Sequence, residues 1–554
     1  MRPFSLFSIT ICLLFSCTFT NANTFKKKGN LPEVERLYLT CKIWGFLKYY
    51  HPKVGKGTYD WDGKLMELLD KTDSIESTDT LSEFYLKWIN NLGNIEECKR
   101  CGKPSKDELF LKNFNLDWFN DPGFSQDLQK LLHHIEVNRF QGKNHYVDHG
   151  RSKEFKPRNE DFLLDFDWSN PNLRLLVLFR YWNYVEYFFP YKYLTDQPWD
   201  EVLKEMIPKF LSAQTEFSFH LAVLELIVKV DDSHAAFVTP ILKEELKFKQ
   251  LPVRLNWIEE HVVVTSTSDS LKNNGIGLTA GDRIIAVNNK PTEDILNTYE
   301  KYLWGSNPYA KKRMIQYALF YEIEDSATIT FKREDQVIKK NTKLYSYKEL
   351  DFNIPERKSW KILEDSIGYV NMGDLTVGDV DEMMEELMDK SAIIFDIRNY
   401  PRGTYRAIAK YLKKTDATFA IFTRPDYSYP GKFIWSGASS CGEDNYIDYY
   451  KGKVILLVNE NTQSHAEFTC MCLETAPNVV IIGSQTSGAD GNTKSFNLFD
   501  NNFTTLTWIG VYYPDGRETQ RIGIVPDIKI RPTIKGIKDG RDEVLEKAIE
   551  VARE

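Results

Sequence analysis

A basic surface is what this sequence lacks. Its 554 residues carry 71 Lys and Arg against 79 Asp and Glu, for a net charge of −8. A nucleic-acid partner selects for excess positive charge, so that class is disfavoured. Long apolar runs are also missing after the amino terminus. No stretch beyond residue 22 supplies the roughly 20 apolar residues that a membrane-spanning helix needs. Cysteine is scarce, with eight in all, and Cys12 and Cys17 fall in the first 22 residues. Cys98 and Cys101 form a C-x-x-C with no second pair at zinc-like spacing. A local disulfide or two plain thiols suit that pattern better than a metal. Cys470 and Cys472 sit two apart in a helical stretch, point to different faces and are expected in the core. His133, His134, His145 and His149 fit no ligand spacing and read as surface. No cofactor and no metal are implied.

Apolar residues are plentiful, at 42% with 14% aromatic. So long a chain cannot close around one core, and about two to four domains are expected. Residues 1–22 read as an export signal, with Arg2 ahead of an apolar core over 4–15. Cleavage after Ala22 leaves Thr20 at the small −3 position. Leu14-Phe15-Ser16-Cys17 also fits a lipoprotein box, and on that reading Cys17 carries lipid and tethers the chain to a membrane. The expected location is exported: periplasmic, secreted or on the outer membrane.

The amino-terminal half repeats itself. W-G-F-L-K-Y-Y-H-P over 44–52 returns as W-N-Y-V-E-Y-F-F-P over 182–190. Trp44, Pro52, Trp61, Asp62 and Leu65 pair with Trp182, Pro190, Trp199, Asp200 and Leu203 at a constant offset of 138. Two copies of one helical unit follow, with their aromatic rows as packing surfaces. His51 has Phe189 as its counterpart and reads as structural. The second copy runs into Asp231-Asp232-Ser233-His234, where a His leaves a helix flanked by Asp and Ser. From about 246 to 345 short β-type segments take over, at 251–255, 261–265, 283–287 and 327–332.

From 366 onward strands alternate with helices, the order of a crossover α/β sheet whose functional groups collect at the carboxyl ends of strands. One such end is N-E-N-T-Q-S-H-A-E-F over 459–468, after the apolar run 454–458. A buried strand, a polar turn and a helix start can present the Ser464 hydroxyl beside free backbone N–H groups. A second end carries D-I-R-N-Y-P-R-G over 396–403.

Residues 277–288, G-L-T-A-G-D-R-I-I-A-V-N, resemble the L-x-x-G-D-x-I-x-x-V-N signature of PDZ domains. That resemblance implies binding of an extended peptide by strand addition. Further on, four matches together resemble the C-terminal-processing and tricorn family of serine peptidases. Asp396 to Gly403 matches D-L-R-N-N-P-G-G, with Tyr400 and Arg402 as departures. Ser464-His465-Ala466-Glu467 matches S-A-x-E; Gly483, Thr486 and Gly488 match G-x-x-T-x-G; Gly523 to Ile528 matches G-V-x-P-D-I. The resemblance implies a crotonase-like or ClpP-like α/β core and a Ser464 nucleophile. The branch with a Ser–Lys dyad has Lys where this chain has Ala489. The tricorn-like branch uses a Ser-His pair and a distant Glu, which Ser233, His234 and Glu518 match, with Asp515 as competitor to Glu518. It further implies an oxyanion hole from the backbone of Gly403 and His465, and substrate contacts at Arg402 and Thr486. Lys494 is the fallback base.

The expected organisation is therefore a signal over 1–22, helical units over 23–160 and 161–245, a PDZ-like domain over 246–345 and a peptidase domain over 355–554. The expected activity is hydrolysis of peptide bonds in a peptide or protein substrate through an acyl-enzyme. A catalytically inactive relative that only holds peptides is the alternative, and a hydrolase of some other acyl bond a weaker third.

Overall fold

The computed structural model describes residues 31–554 except 103–107, 150–153, 161–165, 268–269, 274, 351–357, 365 and 445–446. The export signal, its cleavage position and Cys17 lie outside the described residues. The helical half contains α1 (Glu33–Tyr50), α2 (Trp61–Thr72), α3 (Thr78–Asn90), α4 (Gln126–Val137), α5 (Pro171–Phe188), α6 (Trp199–Leu211) and α7 (Glu216–Val228). Almost every residue of α1 and α5 is buried. A helix buried all round needs no polar stripe, and these two have none.

The repeat is visible as hydrogen bonds. Trp44 Nε1 donates to the Trp61 carbonyl and Trp61 Nε1 to the Trp44 carbonyl, at 3.0 and 3.1 Å. Trp182 and Trp199 do the same at 2.9 and 3.0 Å. The copies also hold each other. Lys42 of the first reaches Asp200 of the second at 2.8 Å, and Arg180 of the second reaches Asp62 of the first at 2.5 Å. Lys42 and Arg180 are equivalent positions at the same offset of 138, as are Asp62 and Asp200. The pairing is thus reciprocal, as across a two-fold axis. Cys98 and Cys101 form a disulfide, while Cys41, Cys441, Cys470 and Cys472 are buried thiols. His51 is buried, with Nδ1 accepting from the Lys53 N–H at 3.3 Å.

A short strand, β1 (Leu109–Phe110), leaves the helical half to join a sheet described below. The middle unit is a sheet of β2 (Val253–Ile258), β3 (His261–Thr267), β4 (Arg283–Val287), β5 (Ser326–Arg333) and β6 (Gln336–Lys343). Its order is β6-β5-β4-β3-β2, all antiparallel. β6 is the strand that its sequence, Q-V-I-K-K-N-T-K, hides: most of it is exposed, so little apolar alternation marks it.

The last third holds a six-stranded sheet. Its strands are β7 (Trp360–Leu363), β8 (Ile367–Asn371), β9 (Ala392–Asp396), β12 (Lys453–Val458), β13 (Val479–Gly483) and β17 (Ile528–Lys529), in that order. Every pairing after the first is parallel. β9 and β12 are buried on both faces, which is why they read as unbroken apolar runs. A second sheet stacks β1, β11 (Phe433–Cys441), β10 (Ala417–Pro425) and β16 (Gly510–Tyr512). β14 (Thr493–Phe499) and β15 (Asn502–Thr507) form a separate two-stranded hairpin. Phe496, Leu498, Leu506, Trp508 and Tyr512 are buried in the same cluster as Trp44 and Trp182. The helical half and the β14–β16 segment therefore share one core, and Phe237 bridges directly to Thr504. Among the described residues no helix is long and apolar enough to cross a membrane.

Candidate active site

β12 ends at Val458, and helix α8 (His465–Leu473) begins at the end of the following turn. Between them Ser464 sits at φ 57° and ψ −121°. That backbone is open to glycine and strained for serine, and such strain gathers at functional turns. The turn is held from below by Glu467, which is buried. Its carboxylate accepts from the N–H groups of Ser464 at 3.0 Å, Gly488 at 2.7 Å and Ala489 at 3.0 Å, and from the Thr486 hydroxyl. Burial pushes the Glu467 carboxyl up, against the pull of these donors. The glycine of the last motif belongs to this knot. A Cβ on Gly523 would lie 2.1 Å from Thr486 Oγ1 and 2.8 Å from Glu467 Oε1.

His234 follows α7 and is brought over by the shared core. Thr507, at the end of β15, donates to Asp232 Oδ2 at 2.6 Å. Its oxygen is 3.2 Å from His234 Nδ1. Having spent its proton on Asp232, the Thr507 hydroxyl accepts from Nδ1–H, which leaves Nε2 as the unprotonated nitrogen. Asp232 Oδ1 lies 3.4 Å from the same Nδ1 and accepts from the His234 backbone N–H at 3.0 Å. Burial alone would lower the His234 pKa, but the hydrogen bond and charge of Asp232 outweigh it and hold it above 6.5.

The two halves of the site are tied one residue back from each reacting group. Ser487 Oγ is 2.9 Å from Ser233 Oγ and 3.1 Å from Gln463 Oε1. Ser233 and Ser306 exchange backbone N–H to hydroxyl bonds, both at 2.8 Å. Arg313 completes the knot, reaching Gln463 Oε1 at 2.7 Å.

Several expected roles change. Glu518 does not join Ser233. It pairs with Lys112 at 2.5 Å and lies 3.3 Å from Tyr193 Oη, so its charge is spent on the helical half. Asp515 is exposed and pairs with Arg517. The carboxylate on His234 is Asp232, two residues before it in the chain. Ser233 bonds to Ser306 and Ser487, and serves as a clasp between the halves. Thr486 is fully buried, with its hydroxyl between Glu467 and the Ile524 N–H at 2.8 Å, so it cannot touch substrate. Arg402 is exposed and donates to the Gly373 carbonyl at 2.8 Å, on the loop after β8. Lys494 faces Glu154 at 3.4 Å. Gly403 takes φ 77° in an open loop, and the His465 ring packs between Tyr400 and Tyr405, with centroids 6.1 and 5.4 Å away. Asp232, Thr507, Glu467 and Ser487 carry the geometry without having been given roles from sequence, although Asp232 and Glu467 stood in the stretches that hold His234 and Ser464.

Beside Ser464 opens a cavity of about 570 Å³, lined by His465, Tyr400, Phe468, Asp490 and Trp508 among others. Among the described residues no group of three or more His, Cys, Asp or Glu is arranged to hold a metal ion.

Residues 366–530 match peptidase family S41, and residues 247–359 match the PDZ domain. A nisin-resistance protein of Lactococcus lactis subsp. lactis is 25% identical over 166 residues. That match covers 28% of this chain and spans about half the length of the relative, 52%. The solved structure of mature CPAF complexed with lactacystin aligns with a TM-score of 0.53 at 12% identity, over 68% of this chain and 97% of that one. Mature CPAF alone gives 0.53 at 13%, over 68% and 96%. At such identity the likeness is one of fold. The chain thus carries a PDZ domain followed by an S41 peptidase domain.

Proposed function

We propose that this S41-family chain is an exported serine endopeptidase whose nucleophile is Ser464 and whose base is His234. Ser464 Oγ attacks the scissile carbonyl and passes its proton to His234 Nε2. The carbonyl oxygen, now an oxyanion, is met by the backbone N–H groups of His465 and Gly403. His234 returns the proton to the leaving amine as the C–N bond breaks. Water then hydrolyses the acyl-Ser464 ester by the same path. Asp232 and Thr507 keep the imidazole in the required tautomer and stabilise its charged form. The observation that carries this reading is Ser487, whose single hydroxyl reaches the residues immediately before both reacting groups. The parallel sheet under the site accords with a crotonase-like or ClpP-like core. The PDZ domain would recruit an extended peptide segment of the substrate. Residues 1–22 would direct export, with Cys17 as a lipid tether if the lipoprotein box is used.

A fluorophosphonate probe read by mass spectrometry tests the nucleophile. Labelling of Ser464, abolished in Ser464→Ala without loss of folded protein, is the expected result. A well-folded chain that stays unlabelled overturns the reading and leaves an inactive peptide-holding protein.

A further inference from the structure

The cavity beside Ser464 is lined by polar and apolar side chains alike, with Phe422, Phe468 and Trp508 among the apolar ones. Its two acids are Glu154 and Asp490, and among the described residues neither Lys nor Arg lines it. Glu154 already has a cation, Lys494, at 3.4 Å. Among the described residues no Lys or Arg pairs with Asp490, whose nearby basic group is His234. Asp490 is 4% exposed, its Oδ1 accepts from the Gly491 N–H at 2.7 Å, and its Oδ2 is buried with no hydrogen-bond partner among the described residues. A buried carboxyl oxygen left without a donor is costly.

We propose that Asp490 is a specificity-determining residue, and that the cavity takes a Lys or Arg side chain next to the scissile bond. The inference rests on the serine-peptidase reading of Ser464. The aromatic walls would cover the methylene stem while the charged head sits against the Asp490 carboxyl. In a partly sheltered site a single ion pair counts for more than in water. Burial first, then the charge of Glu467, pushes the Asp490 carboxyl up to about 8, against the Gly491 N–H and the nearby His234. The other ionisable groups lining the cavity are Glu154, His465 and Tyr400, and Tyr191 Oη donates to the Asp490 carbonyl at 3.2 Å. An arriving cation reverses the upward shift, so binding expels a proton. Preference for a cationic peptide should therefore strengthen as pH rises toward 8 and level off above it.

The test compares paired peptides that differ only in Lys against norleucine at the position before the cleaved bond, on the full-length protein. The readout is the ratio of kcat/KM values, so a general loss of activity cancels. Wild type is expected to favour Lys by about tenfold or more. Asp490→Asn is expected to bring the ratio near one, and Asp490→Glu to restore part of it. Equal use of both peptides by wild type, with Ser464 still labelled, overturns the inference and spares the peptidase reading. A ratio unchanged in Asp490→Asn does the same. If wild type cleaves neither peptide and Ser464 is unlabelled, the peptidase reading falls. The pair is then titrated onto Ser464→Ala by fluorescence anisotropy. Tighter binding of the Lys peptide there, lost on adding Asp490→Asn, sustains the inference, and equal binding ends it.

Discussion

On the proposed mechanism the proton leaving Ser464 passes to His234 Nε2, and that nitrogen accepts it only while the imidazole is neutral. Asp232 holds the His234 pKa above 6.5. The acidic limb of kcat/KM against pH is therefore expected above 6.5 in the wild type. Asp232→Asn removes the largest upward influence, leaving only the weaker charges of Asp490 and Glu467, so the limb should move to lower pH. Activity at the plateau should fall about 10²–10⁴-fold, the range that a correctly held general base contributes. Rate profiles on a peptide without ionisable side chains check both effects, and an unmoved limb would detach Asp232 from the mechanism. At this scale the sequence was partly readable. Ser464 and His234, the proposed nucleophile and base, were named from motifs in the sequence. Glu518, expected to form a polar chain with Ser233, lies instead against Lys112 and Tyr193, because spacing along a chain says nothing about which acid a fold brings to a site.

The element that presents Ser464 is a strand, a turn and a helix, with the strain confined to one residue. Backbone at φ 57° and ψ −121° costs a non-glycine residue about 1–3 kcal/mol. Ser464→Gly should relieve this and stabilise the peptidase domain by about 1 kcal/mol net of glycine's extra unfolded-state freedom. Urea midpoints of Ser464→Gly and Ser464→Ala, both inactive, make the comparison. A glycine variant no more stable than the alanine one would mean that the turn is not strained. The turn itself was visible in sequence as an apolar run followed by a polar cluster. Its support was not, since Glu467 draws its donors from residues 486–489, beyond the next strand.

Across the whole molecule, the proposed base and nucleophile come from different halves, joined by one core. Phe496, Leu498, Leu506, Trp508 and Tyr512 lean on the helical repeat, so residues 360–554 alone would expose them. That fragment is expected to aggregate, or to stay soluble only with bound detergent, and to leave Ser464 unlabelled by fluorophosphonate for want of His234. Size-exclusion chromatography and labelling report the two outcomes separately. A monodisperse, labelled fragment would show that the helical half is dispensable for the chemistry. The repeat itself is built to persist, because each copy's cation, Lys42 or Arg180, neutralises the other's carboxylate inside the interface.

Local pattern determined the parts: the internal repeat, the PDZ-like signature, the buried parallel strands and the serine at a strand end. Each depends on residues near one another in the chain, where periodicity and turn chemistry are written. Which acid serves His234, which threonine steers it and which carboxyl is left facing the cavity were decided by tertiary packing. Those choices set Asp232 against Thr507 and Asp490 beside Ser464, through contacts that no local preference encodes.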